Sequence, residues 1–259
     1  MPDRSFFNAP DSIPLLNIET LVEQNSSVLI VAPHPDDETL GCGGAIAALR
    51  QLNIAVKVSI VSDGTKSHPN SKTYPPVALK KLREEESQAA LAILGVAPEA
   101  ITFLGMPDGA VPSLDWEQGD GETGRKIRKY EKAIILCQQY LQNIKPSIVF
   151  LPWRGDPHPD HRASWQIFTA AIKNLNYSPR LIEYPIWDWD TEQRRNISKS
   201  VEAWRLDISS FLEAKRQAIS SYRSQISDLI KDDPQGFRLT PEMLLNFTQP
   251  WEIYLEVKS

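Results

Sequence analysis

Short apolar runs alternate along the chain with longer segments of helical periodicity, and this alternation predicts strands and helices in turn. Residues 28–32, Val-Leu-Ile-Val-Ala, form a continuous apolar run, the pattern of a strand buried on both faces. Residues 41–52 then read as a helix, and 56–61 as the next strand, which ends at the turn signal Ser62-Asp63-Gly64. A polar, proline-containing stretch over 66–76 predicts a surface loop. The periodicity of 79–94 predicts a helix closed by Gly95 at its C-terminal cap. A short strand over 101–104 is broken by Gly105-Met106-Pro107-Asp108-Gly109, and 112–124 reads as loop. Helices are predicted over 127–144, 164–175 and 213–229, and strands over 147–151, 181–189 and 251–257, with 152–159 irregular. Strands alternating with helices in this way imply an α/β fold with a mainly parallel sheet. No tandem repeat, low-complexity stretch or linker interrupts the chain. The expectation is one domain over 1–259, with 1–25 as an N-terminal extension.

Composition narrows the class. The 259 residues carry a net charge of −5, with 41% hydrophobic and 24% charged residues, as a folded globular chain does. Disordered, collagenous and disulfide-scaffold proteins are excluded. The acidic balance contains no Lys/Arg block, which argues against a nucleic-acid partner. The longest apolar runs fall far short of the roughly 18 residues of a membrane span, and the N-terminus MPDRSFFNAP lacks the apolar core of a signal peptide. Two cysteines, Cys42 and Cys137, build no disulfide framework, so the expected compartment is the cytoplasm.

Histidine is scarce: His34, His68, His158 and His161 are the full set. Three of them fall in two similar tetrads, His34-Pro35-Asp36-Asp37 and His158-Pro159-Asp160-His161, each downstream of a predicted buried strand. Ligands of open parallel sheets bind beyond the carboxyl ends of the strands, so two neighbouring strands would bring the tetrads together. Imidazole and carboxylate together suit zinc, and a catalytic zinc typically takes three protein ligands. A set of two histidines and an aspartate also accepts iron, cobalt or manganese. His68-Pro69-Asn70 imitates the tetrads but lies in the polar loop and lacks the aspartate.

Other signals fail or stay bland. In Gly41-Cys42-Gly43-Gly44 the third glycine of a dinucleotide fingerprint falls on Ile46, leaving close helix packing as its role. Over 119–126 a P-loop pattern meets Arg125 where lysine belongs and Lys126 where Ser/Thr belongs. Cys42 reads as a small buried apolar residue rather than a soft ligand. Glu84, Glu85 and Glu86 read as a solvated helix face, with Glu86 one turn from Arg83 as a candidate to position it. The segment Pro185-Ile186-Trp187-Asp188-Trp189, with Trp153, offers aromatic faces to a sugar, against the commoner use of such residues in a core or a subunit interface.

The stretch Val31-Ala32-Pro33-His34-Pro35-Asp36-Asp37-Glu38, with the glycines after it, resembles the LmbE-like (PIG-L) family of zinc-dependent deacetylases. That family's hallmarks are A-H-P-D-D-E, with Pro33 here in place of the alanine, and a distal H-P-D-H. Arg83 and Glu86 before Leu94-Gly95, then Met106-Pro107-Asp108-Gly109, and the Y-x-S-Q residues Tyr222, Ser224 and Gln225 extend the resemblance over about residues 25–257. It implies a Rossmann-like three-layer α/β/α fold, and His34, Asp37 and His161 as ligands of one Zn2+, with Fe2+ or another divalent metal as alternatives. It further implies Asp36 as general base, His158 as the group that stabilises the oxyanion, and Asp160 as the carboxylate that orients and charges His158. Arg83 and Asp108 fall where the family contacts its sugar. One departure is Asp156, which stands where some members carry a tyrosine.

The implied reaction removes an N-acetyl group from an N-acetylglucosamine-type sugar or glycoconjugate. The partner is then a small N-acetylated sugar compound, with homo-oligomerisation through 187–189 a further expectation. A zinc amidase or esterase acting on a non-sugar, and a metal- or sugar-binding protein without turnover, are the rival readings.

Overall fold

Val28, Ile30 and Ala32 of strand β2 (Ser27–Ala32) join one buried apolar cluster, and Leu29 and Val31 join a second. Successive side chains of a strand point to opposite faces, so the unbroken apolar run produces two cores, one on each side of the sheet. The computed structural model describes residues 10–113, 123–188 and 201–257.

Five parallel strands form the centre, in the order β6-β5-β2-β3-β4: β3 (Ala55–Ser62), β4 (Ile101–Met106), β5 (Ile148–Pro152) and β6 (Arg180–Tyr184) flank β2. Beyond β6 lies β8 (Trp251–Val257), antiparallel both to β6 and to β7 (Val201–Asp207). The two-residue β1 (Leu15–Leu16) closes that edge by pairing with β7, so the stretch expected to be an extension contributes a strand. Among the described residues the sheet has eight strands. Helices α1 (Asp37–Gln51), α2 (Pro76–Ile93) and α5 (Leu212–Ile219) contact one another on one face. Helices α3 (Thr123–Ile144) and α4 (Pro159–Lys173) pack together against the other cluster. The expected three-layer α/β/α fold with a mainly parallel sheet is the observed one.

Helix boundaries bear directly on the site. Both α1 and α4 start several residues earlier than periodicity predicts, inside the histidine tetrads themselves. Pro159 takes the first helical position of α4, where its missing N–H costs nothing, and the His158 side chain caps the helix by accepting the Asp160 N–H. Helix α2 ends before Gly95, whose φ of +82° is the left-handed conformation expected after a helix.

Three expectations need correction. The helix predicted over 213–229 breaks at Ser220: α5 ends at Ile219, and a separate turn of helix, α6 (Arg223–Ile226), follows. The strand predicted over 181–189 stops at Tyr184, and Trp189 lies outside the described residues. Strand β7 was not anticipated at all. Of the predicted loop over 112–124, residues 114–122 lie outside the described residues. The described residues also include a last short helix, α7 (Pro241–Leu245). Among them no helix is long and apolar enough to cross a membrane.

Candidate metal centre and active site

Strand order reverses at β2, because the chain runs β2-β3-β4 outward to one side and resumes at β5 on the other. A crevice forms beyond the carboxyl ends of the strands at such a reversal. Both tetrads follow strands that border it: β2 leads to His34 and β5 to His158. Three donor atoms meet there. His34 Nδ1 and His161 Nε2 each lie 3.2 Å from Asp37 Oδ2, and 3.3 Å from one another. Donors held at 2.0–2.1 Å around a tetrahedral ion lie roughly 3.3 Å apart, so this triangle has the dimensions of one face of a zinc site. The donor chemistry, two imidazoles and one carboxylate, fits zinc or iron equally well.

The other nitrogen of His34 faces two more carboxylates. Nε2 is 3.3 Å from Asp108 Oδ1 and 3.3 Å from Asp160 Oδ2. His34, Asp108 and Asp160 are thus a second donor group that can hold a metal. Their oxygens have other obligations, however. Asp160 Oδ2 accepts the Gly109 N–H at 2.7 Å, Asp160 Oδ1 accepts the Val111 N–H at 3.2 Å, and Asp108 Oδ2 accepts the Lys66 N–H at 2.7 Å. The arrangement matches the outer-sphere pattern in which a ligating histidine gives its second N–H to a carboxylate. In the His34-Asp37-His161 triangle Asp37 Oδ2 likewise accepts a main-chain N–H, that of His34 at 2.9 Å, and either group could hold an ion.

Around this triangle the expected roles divide differently from the sequence reading. Asp160 does meet His158, but through its main chain: the Asp160 N–H donates to His158 Nδ1 at 3.2 Å, while the Asp160 carboxylate serves His34. With Nδ1 accepting, the imidazole proton is assigned to Nε2. Burial, together with the charges of His161 and His34, pushes the His158 pKa down to about 3 against the opposing pull of Asp160, so the ring is neutral. A neutral His158 offers Nε2–H as a hydrogen-bond donor. Arg83 lines the cavity. It is buried, and its Nη2 donates to Asp36 Oδ2 at 3.2 Å and to the Pro35 carbonyl, so it grips the candidate base. Asp108 lines the cavity while its carboxylate holds His34 and Lys66.

Asp36 sits in a backbone conformation few residues adopt, with φ of 130°. Glu38 holds it there by accepting the Asp36 N–H at 3.1 Å, and Glu38 in turn accepts the Tyr222 hydroxyl. Burial raises the Asp36 carboxyl to about 8 even though Arg83 pulls it down. The same burial raises Glu38 to about 7. Asp37 goes the other way: burial would raise it, but the charges and hydrogen bonds of His161 and His34 hold it well below the ordinary carboxylate range.

Asp156 is the residue whose role sequence reasoning missed. Its Oδ1 lies 3.4 Å from His161 Nδ1 and accepts the His158 N–H at 2.9 Å, and Oδ2 accepts the Ile186 and Trp187 N–H groups at 3.2 and 3.1 Å. Fully buried, it stands behind the His161 ring. Its place as the lone carboxylate two residues before the distal tetrad was the available signal. Glu86 does not position Arg83 as expected, because its carboxylate accepts the N–H and hydroxyl of Ser224 at 2.7 and 2.6 Å. His68 is buried against Gly236, away from the donor triangle, and Cys42 and Cys137 are free and buried. Trp153 is also buried and does not line the cavity.

The cavity in front of the triangle has a volume of about 410 Å3 and is lined by His34, Asp36, Asp37, Arg83, Asp108 and His158 on its polar side. A histidine–carboxylate cluster that could hold a metal thus sits at the switch point of an open α/β sheet, beside a buried carboxylate of raised pKa, a common setting for a functional site.

Residues 29–172, over half of the chain, match the family model described as PIG-L, GlcNAc-PI de-N-acetylase, and the chain belongs to that family. A Bacillus anthracis relative, named probable N-acetyl-alpha-D-glucosaminyl L-malate deacetylase 2, is 26% identical and covers 88% of this chain and 94% of its own. The solved N,N'-diacetylchitobiose deacetylase of Pyrococcus horikoshii shares the fold with a TM-score of 0.58 at 23% identity, over 81% of this chain and 74% of that one. So does GalB, the 4-carboxy-2-hydroxymuconate hydratase of Pseudomonas putida KT2440, with a TM-score of 0.55 at 20% identity over 77% and 80%. One fold thus serves more than one reaction, and the choice among them rests on the site.

Proposed function

We propose that the protein is a metal-dependent hydrolase that removes the N-acetyl group from an N-acetylglucosamine-type sugar or glycoconjugate. We take His34, Asp37 and His161 as the ligands of a single divalent ion, zinc in the first instance. The observation that carries this reading is the 3.2–3.3 Å donor triangle beside a buried Asp36 whose pKa is raised to about 8. A divalent ion there would polarise the acetyl carbonyl and lower the pKa of a bound water to about 7.

The chain's own groups do the rest. Asp36 Oδ1 or Oδ2 takes a proton as water oxygen bonds to the carbonyl carbon, a task suited to a carboxyl whose pKa lies near neutrality. His158 Nε2–H donates to the oxygen that gains negative charge, a contribution typically worth about 3 kcal/mol. As the C–N bond breaks, protonated Asp36 returns its proton to the departing amine, and acetate and the free amino sugar result. Arg83 keeps Asp36 aimed into the cavity throughout. The support for a sugar substrate is the name of the Bacillus anthracis relative. Nothing in the site favours a non-sugar amide or ester, or a hydration reaction. Binding alone would leave Asp36 and His158 without a task. One domain is the matching architectural reading, because a single sheet takes strands from both ends of the described chain.

The test is metal content and acetate release together. Protein purified without added metal should hold about one zinc or iron per chain, and His161→Ala should lose it. The loaded protein should release acetate from N-acetylglucosamine or its glycosides. Asp36→Asn should lower kcat by roughly 10²–10⁴-fold while keeping the metal. Wild-type protein that neither holds nor can be loaded with metal overturns the proposal. So does loaded protein that leaves every N-acetyl sugar intact.

A further inference from the structure

The far wall of the cavity is apolar, built by Leu40, Ile186, Trp187, Phe237, Leu239 and Phe247. Most of these also belong to, or pack on, the main core cluster, but Phe237 belongs to neither cluster and is 37% exposed. It meets Trp187 edge to face, with ring centroids 5.7 Å apart. A half-buried Trp187 beside an exposed Phe237, both lining the cavity, offers a surface a ligand can cover.

Trp187 packs on the main core cluster, and Phe237 is anchored through its main chain. The Phe237 N–H donates to the Ser67 carbonyl at 2.6 Å. Just upstream, Asp232 accepts the Lys72 and Thr73 N–H groups at 2.7 and 2.8 Å and the Ser71 hydroxyl at 2.8 Å, and Asp233 accepts the Asn70 N–H at 2.8 Å. Each residue's main chain is also linked to a different histidine of the donor triangle. The Trp187 main-chain N–H donates to Asp156, which backs His161. Phe237 is pinned to Ser67, the neighbour of Lys66, whose N–H holds the Asp108 carboxylate against His34. The rim therefore stands at a set distance from the reacting centre, which is the requirement for reading a substrate's remote end.

Resting on the deacetylase reading above, we infer that Trp187 and Phe237 form a subsite for the non-sugar part of the substrate, and that this part is neutral, apolar and ideally aromatic. A cavity of about 410 Å3 falls within the range of pockets that enclose ligands well beyond a single sugar ring, roughly 300–1,000 Å3. The apolar wall gives no partner to a charged aglycone, whose desolvation it would leave uncompensated. Among the described residues Lys66 is the one exposed cation at the lining, and it provides the competing possibility of an anionic group, which the test separates.

Acetate release is measured for the methyl and phenyl glycosides of N-acetylglucosamine, in both anomers, and for N-acetylglucosamine 1-phosphate. The metal-loaded wild type should show kcat/KM for the phenyl compound roughly tenfold or more above that for the methyl compound. Phe237→Ala and Trp187→Ala should bring that ratio close to one. Because each ratio is taken within one protein, any loss of folded material cancels. A wild-type ratio near one overturns the inference, as does a ratio the variants leave intact or a preference for the 1-phosphate. If no glycoside is deacetylated, the deacetylase reading fails instead. Calorimetric binding of the phenyl glycoside to wild type and Phe237→Ala then decides the subsite separately: binding weakened by the variant supports it, and equal or absent binding overturns it.

Discussion

Asp156 occupies a position that the family pattern leaves variable, yet four contacts converge on its carboxylate: His161 Nδ1 and the main-chain N–H groups of His158, Ile186 and Trp187. Burial alone would raise its pKa, but the charge of His161 and these donors hold it below the ordinary range, so it stays ionised behind the ligand ring. Outer carboxylates of this kind fix ring orientation and raise ligand basicity, and their loss typically weakens metal binding 10–100-fold. Asp156→Asn should therefore weaken zinc affinity by about that factor in a chelator-competition titration, while His158→Ala should leave affinity within a few-fold. That His34, Asp37, His158 and His161 gather at one place was legible in the sequence, because two rare tetrads each follow a buried strand. Their division of labour was not. Asp160 lies two residues from His158 in sequence, and only the fold reveals that its carboxylate turns to His34 and leaves the N–H to cap His158.

At the level of elements, hydrophobic pattern located the parallel strands and the long helices, and it failed where tertiary contacts decide. Strand β7 alternates Val-Glu-Ala-Trp-Arg-Leu-Asp, and only Trp204 and Leu206 are fully buried, so its apolar signal is thin. The helix predicted over 213–229 is interrupted after Ile219: Tyr222, in the break, reaches Glu38, and the re-started turn α6 carries Ser224 to Glu86 and Gln225 into the cavity lining. The glycines of α1 behaved as the sequence suggested. A Cβ on Gly41 would stand 2.3 Å from the Tyr184 ring, and one on Gly44 would stand 2.5 Å from Ile208 Cγ2. These close approaches set how α1, and hence Asp37 at its first turn, lies against the sheet. Gly44→Ala should cost about 1–3 kcal/mol by overpacking, lowering Tm by roughly 2–4 °C for each kcal/mol. Ile208→Ala should restore part of the loss, since it removes the atoms that clash.

On the scale of the whole molecule, the site concentrates carboxylates that the folded state keeps ionised, and this sets its behaviour in acid. Burial raises the Asp108 pKa, but the hydrogen bond and charge of His34 and the Lys66 N–H outweigh it and bring it down to about 2 from an ordinary 3.8. A depressed carboxyl contributes stability that is present above its unfolded pKa and is lost as pH falls through the folded value. For Asp108 the window is about pH 4 down to 2, and the contribution is on the order of 2 kcal/mol. Metal-free Asp108→Asn should accordingly show a flatter decline of Tm between pH 4 and 2 than metal-free wild type. The sheet order carries a different consequence, one of timing. Strand β8 is the last described strand in sequence, yet it lies between β6 and β7. During synthesis the five parallel strands can assemble as the chain emerges. Until β8 arrives, however, β6 presents an open edge, and β7, with β1 beside it, has no place to dock. A chain cut short before β8 would carry an exposed β6 edge that invites pairing with other copies.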